Sequence, residues 1–134
     1  MIEPANELVS LTATQAAQLI RESKLSALEL TQACLEQIEA AEPTVQAFAF
    51  LDPEHALGQA GALDEMRKRG RPLGPLHGLP IGVKDIIDTA DMPTENGTVL
   101  HAGRRPRADA TVVSRLRAAG AVILGKTVTT ELAV

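Results

Sequence analysis

Lys84 is the residue whose position most invites chemistry. It sits in the apolar run Ile81-Gly82-Val83-Lys84-Asp85-Ile86-Ile87, which has the length of a strand. A cation inside a buried strand is costly to desolvate unless it is paired or gives up its proton. A neutral lysine amine in such a place is a base. Two ordinary readings compete with that one: the side chain reaches out at the sheet edge, or it pairs with Asp85 or Asp88.

Other residues suggest other chemistry, and each suggestion has a plainer reading. Asp85, Asp88 and Asp91 recur every third residue, a spacing that suggests a metal site. They lack the varied oxygen donors and the histidine of a hard-metal loop, so neither a metal nor any cofactor is expected. Gly120-Ala121-Val122-Ile123-Leu124-Gly125-Lys126-Thr127 matches the phosphate-binding pattern G-x-x-x-x-G-K-T. That pattern works when a strand precedes the first glycine and a loop wraps the phosphates. Here a helix precedes it and the intervening residues read as a strand, whose N–H groups belong to neighbouring strands. His77 and His101 are isolated loop histidines, read as surface or turn residues. Cys34 lies among apolar helix positions and reads as an inert thiol.

The segments that must hold these residues follow from caps and periodicity. Thr12 or Thr14 can open a helix carrying Ala13, Ala16, Ala17 and Ile20 on one face. Ser26 and Glu29 have capping-box spacing for a second helix with Leu28, Leu35 and Ile38 inward, closed by Pro43. Residues 45–51 alternate and hold Phe48 and Phe50, as a strand would. Asp52-Pro53 is a cap with an N1 proline, and that helix runs to Arg67-Lys68-Arg69 and a Gly70 stop. Gly74 to Pro80 turns tightly into the Lys84 strand, and residues 89–106 are rich in turn formers. Asp109 can cap a helix from Ala110 to Ala119 with Val112, Val113 and Leu116 inward. Residues 121–124 form a strand, and Thr129-Thr130-Glu131 begins another helix. The order of elements is α/β: helices at the N-terminal end, then α/β units with partly parallel pairing.

Composition narrows the function classes. With 134 residues, 45% of them hydrophobic, the chain reads as a single domain, 1–134. Its one cysteine fits a reducing compartment. Met1-Ile2-Glu3-Pro4 has neither the basic nor the apolar part of a leader, and no run reaches membrane-spanning length, so the expected location is cytoplasmic without membrane attachment. Net charge is −4, with eleven acids and two bases in residues 1–66 and six acids and eleven bases in residues 67–134. Arg104, Arg105, Arg107, Arg115 and Arg117 could form an anion-binding face. Without interleaved aromatics they read as solvated, and no nucleic-acid partner is expected.

The run from Gly74 to Asp88 is followed by Pro93-Thr94, residues 102–106, Asp109-Ala110 and residues 116–127, in that order. Together these resemble the front part of the amidase signature family. The resemblance spans Leu11 to the end and is strongest from Gly74 to Thr130. It implies the front of a mixed β-sheet flanked by helices. It also implies an amidohydrolase with a Ser–cis-Ser–Lys triad that acts on a small-molecule amide through an acyl-serine intermediate, with Lys84 as the base. Asn96 and Gly97 fall where a substrate-binding role is implied, although Asn96, Leu100-His101 and Leu132 depart from the family's usual residues.

The chain's serines, Ser10, Ser23, Ser26 and Ser114, do not stand in a Gly-rich loop. In the family both triad serines and that loop come later, in enzymes several times longer. The resemblance therefore implies an incomplete amidase domain, inactive alone. The alternative function is a non-catalytic α/β fragment that self-associates or binds a partner. Unpaired strand edges favour a homo-oligomer in either case.

Overall fold

The computed structural model describes residues 6–134; Met1-Ile2-Glu3-Pro4, read above against a leader, lies outside the described residues. Helices α1 (Ala13–Arg21) and α2 (Ala27–Val45) come first, then strand β1 (Phe48–Leu51) and helix α3 (Pro53–Lys68). Strand β2 (Pro80–Lys84), helix α4 (Thr111–Ala118) and strand β3 (Val122–Thr127) complete the set, with short 3-10 segments at Glu7–Ser10, Val99–His101 and Glu131–Ala133.

Local chemistry fixes the helix starts. Thr12 accepts from the Gln15 N–H while the Gln15 side chain accepts from the Thr12 N–H, a reciprocal capping box. Ser26 and Glu29 do the same for α2, and Asp52 with Pro53 opens α3. Asp64 adds a contact that local sequence does not announce. Its two carboxylate oxygens accept the N–H groups of Ala27 and Leu28 at 2.8 and 3.0 Å, so α3 caps α2.

Several expectations are corrected. Pro43 does not close α2 but lies inside its last turn. Leu28 and Val112 are exposed, and the inward positions are Ala27, Leu30, Leu35 and Val113. Asp109 does not cap α4. One oxygen accepts from Ala90 N–H and the other from Arg117, because a carboxylate–guanidinium bond is charged at both ends where a cap bond is charged at one. The helix foreseen after Thr129 is one 3-10 turn, with Leu132 in a left-handed conformation.

The sheet order is β1-β3-β2, with β1 antiparallel and β2 parallel to the central β3. Val122 and Leu124 pack against Ala27, Ala60, Leu35 and Ala56 of the α2–α3 pair. Ile123 packs with Val83, Met92 and Val113 on the opposite face. The register slips by one residue in both pairings: Ile81 faces Ile123 but Gly82 faces Gly125, and Phe48 faces Thr127 but Phe50 faces Lys126. β3 is longer than foreseen and takes in Gly125-Lys126-Thr127. Those three residues pair on both sides, so their backbone forms ladders and not a phosphate-binding loop. A Cβ on Gly125 would stand 2.6 Å from Phe50 O, which is why β1 can approach there.

Candidate functional site

β2 is an edge strand, and Lys84 is its last residue rather than its middle. The backbone continues one step beyond it, with Asp85 N–H donating to Thr127 O at 2.9 Å. It then turns through Ile87 N–H to Lys84 O at 3.0 Å. The expected burial of Lys84 is not found: the residue is exposed, on the opposite side of the strand from buried Val83. Strand end and edge position explain this, since no element among the described residues covers that face. Of the alternatives left open by the sequence, exposure at the sheet edge is observed and pairing with Asp85 or Asp88 is not. Lys24, Lys68 and Lys126 each have a carboxylate partner; Lys84 makes no ion pair with a described residue.

The three aspartates diverge. Asp88 takes two bonds from Arg104, at 2.7 and 3.1 Å, and the guanidinium beside it holds its carboxyl below the usual range. Asp91 meets His55 Nε2 at 2.6 Å and Arg117 Nη2 at 2.7 Å. Burial pushes its carboxyl up, and His55 together with Arg117 outweighs that, so the net direction is down. Asp85 turns inward to Lys126. Among the described residues, no group of three or more potential metal ligands converges.

Lys126 is the buried lysine of this molecule. It is 0% exposed, and its Nζ donates to Thr94 Oγ1 at 2.6 Å and to Pro93 O at 3.1 Å. Asp85 Oδ1 lies 3.3 Å away, close enough for an ion pair but not aligned as a hydrogen bond. Burial lowers the proton affinity of this amine, and Asp85 opposes the shift without cancelling it. The sequence held a usable clue: Lys126 stands one glycine beyond the apolar run 121–124, much as Lys84 stands at the end of its own.

Residues 85–106 return to the strand end through Asp85. Asn96 N–H donates to the Asp85 carbonyl at 3.0 Å, and Glu95 N–H to Asp85 Oδ2 at 3.3 Å. Asn96 is left-handed, and its side-chain amide bonds His101 Nδ1 at 3.0 Å. Gly97, at φ +67°, lies so close to Thr130 O that a Cβ would stand 2.8 Å away. Gly97 lines a shallow depression of about 260 Å³ with Asp85, Glu95 and Thr98; Asn96, turned to His101, does not. Thr98 in turn donates to Glu131 at 2.8 Å, tying the loop to the segment after β3. His77 is buried in its turn, its Nε2 3.0 Å from Leu63 O, and so is not the surface residue foreseen. Cys34 is half-buried, and burial pushes its thiol up.

Residues 29–134 match the family model described as Amidase. A glutamyl-tRNA(Gln) amidotransferase subunit of Chloroflexus aurantiacus is 51% identical over 120 residues, 90% of this chain and 25% of that protein. The putative amidase AmiD of Mycobacterium tuberculosis is 50% identical over 118 residues, 88% of this chain and 25% of that protein. Among solved structures, the native peptide amidase of Stenotrophomonas maltophilia superposes with a TM-score of 0.83 at 41% identity, over 89% of this chain and 25% of that one. A fatty acid amide hydrolase gives a TM-score of 0.87 at 27% identity, over 96% of this chain and 23% of that one. The chain thus spans about a quarter of the length of the curated relatives it matches.

Proposed function

The chain belongs to the amidase family, and on that premise we propose that it contributes the base of an amide-hydrolysing site, with Lys84 in that role. The observation that carries the proposal is the free ε-amine of Lys84, the one lysine among the described residues without an ion-pair partner. No carboxylate of the described residues engages this amine, so its side chain is left to groups from outside this chain, and the reaction proposed needs it unprotonated when the serine gives up its proton. In the reaction proposed, a nucleophilic serine outside this chain attacks the amide carbonyl. Its proton passes through a bridging serine, also outside this chain, to the Lys84 amine. The C–N bond then breaks, ammonia or an amine leaves with a proton, and water releases the acid from the acyl-serine.

The substrate side is proposed to lie along residues 95–98, which return to the end of β2 through Asp85. Gly97 serves there as a surface without a side chain. Asn96 serves through its backbone, since its amide group is already engaged by His101.

The test is turnover of a panel of amides, including a peptide amide and glutamine, by a polypeptide that carries this chain at the length of its relatives. Lys84→Met should lower kcat/KM by about a thousandfold or more while the circular dichroism spectrum is unchanged. Turnover by Lys84→Met within threefold of the parent would remove Lys84 from the mechanism.

A further inference from the structure

Lys126 is a buried cation that the proposed reaction does not use. Its three partners come from two segments that β3 does not touch in sequence. Asp85 is the residue after Lys84, and Pro93 and Thr94 open the return of the loop toward Asn96 and Gly97. A buried ion pair is weak evidence for stability, because well-packed hydrocarbon in its place is often as good or better. What hydrocarbon cannot supply is a fixed set of directions. Two hydrogen bonds from one Nζ, to a hydroxyl and a carbonyl, with a carboxylate at ion-pair distance, select a single arrangement of the three groups.

The same carboxylate accepts from Glu95 N–H, and the Asp85 carbonyl accepts from Asn96 N–H. Thr94 Oγ1, besides accepting from Lys126, lies 3.4 Å from both Thr89 N and Ile87 O. The Asp85 and Thr94 contacts thus bridge the turn that leaves β2 and the loop that comes back to it, and Lys126 reaches both from β3.

We infer that Lys126 is a positioning residue: from beneath the sheet end it locks residues 93–97 against Asp85, and so fixes where the loop stands relative to Lys84. The inference rests on the proposed function only in taking residues 95–98 as the substrate side; the lock itself does not depend on turnover.

Two variants test it. Thr94→Val removes the 2.6 Å acceptor, keeps the shape and leaves the Lys126–Asp85 pair in place. Lys126→Met removes all three links and is the harsher change, so Thr94→Val carries the test if Lys126→Met does not fold. The first measurement is amide hydrogen exchange by NMR on the 134-residue chain. In Thr94→Val, exchange at Glu95 and Asn96 should speed up at least tenfold while Ile123, in the core of β3, changes less than twofold. Equal acceleration at all three sites, or none at Glu95 and Asn96, would overturn the lock.

The second measurement is the kinetics of the same variant in the longer polypeptide used for turnover. KM should rise at least tenfold with kcat held within threefold, because a displaced loop weakens substrate placement and leaves Lys84 intact. Unchanged KM alongside faster loop exchange would overturn the positioning role. If Lys84→Met retains turnover while Thr94→Val behaves as expected, the base assignment falls and the lock stands. If no amide is turned over, the proposed function falls and the exchange result alone decides the lock.

Discussion

Lys84 and Lys126 stand on neighbouring parallel strands, nearly side by side: Lys84 faces Thr127 and Val83 faces Lys126. Both follow apolar residues, yet one is exposed and the other has no accessible surface. The difference comes from position in the sheet. β2 is at the edge and ends at Lys84, so its last side chain has solvent on one side. β3 is central and covered on both faces, so a lysine there must find partners inside. An isolated buried-looking lysine in sequence is therefore ambiguous between an exposed amine and a buried brace. Only the strand's place in the sheet separates them.

The largest expected effect breaks the comparison at its buried end. Lys126→Met leaves the Asp85 carboxylate buried without its counter-charge and should cost about 3–5 kcal/mol in urea unfolding. Lys84→Met, at an exposed site, should stay within about 0.5 kcal/mol of the parent. Equal losses for the two would mean that burial does not distinguish them. A middle-sized effect lies in the loop between the lysines. Gly97→Ala combines a left-handed backbone with a clash against Thr130 O and should cost about 1–3 kcal/mol by the same assay. A neutral result would show that the loop and residues 129–130 can shift apart.

The smallest effect sets a surface ion pair against the buried one. The Asp88 carboxyl is held below its ordinary 3.8 by the hydrogen bonds from Arg104, so the folded state binds fewer protons there than the unfolded chain. Its stabilisation is complete above 3.8 and is lost as pH falls through the depressed folded value. More than a third of this pair is exposed, so Arg104→Gln should cost only about 0.5 kcal/mol at pH 6. The gap between parent and variant should close in strongly acid solution. A gap that widened as pH fell would reverse this sign.

Legibility followed the range of the interactions. The starts of α1, α2 and α3 were readable because Thr12, Ser26 and Asp52 bond within three residues of themselves. The α/β order and the strand nature of residues 122–124 were readable from periodicity, and so was the mismatch of Gly125-Lys126-Thr127 with a phosphate loop. The family was readable because motifs kept their order over most of the chain. What could not be read were long-range pairings. Asp109 looks like a cap until Arg117 and Ala90 claim it. Pro43 looks like a stop until α2 absorbs it. Lys126 drew notice only as a letter of the phosphate-loop pattern, because its hydrogen-bond partners are more than thirty residues away.

The one-residue slips in the sheet have a consequence that concerns parity. Without them, odd and even positions of β3 would keep to opposite faces along its length. Val122 and Leu124 meet the α2–α3 pair and Ile123 meets the other side, so strict alternation would send Lys126 in among the helices' alanines and leucines. The extra residue between Ile123 and Gly125 reverses odd and even, and Lys126 emerges beside Asp85 and Thr94 instead. The matching slip in β1 puts Phe48 and Phe50, two residues apart, on opposite faces. Removing one residue from this short stretch would thus do more than shorten a strand. It would exchange the inside and outside of everything beyond the deletion, and the ammonium would meet hydrocarbon where it now meets oxygen.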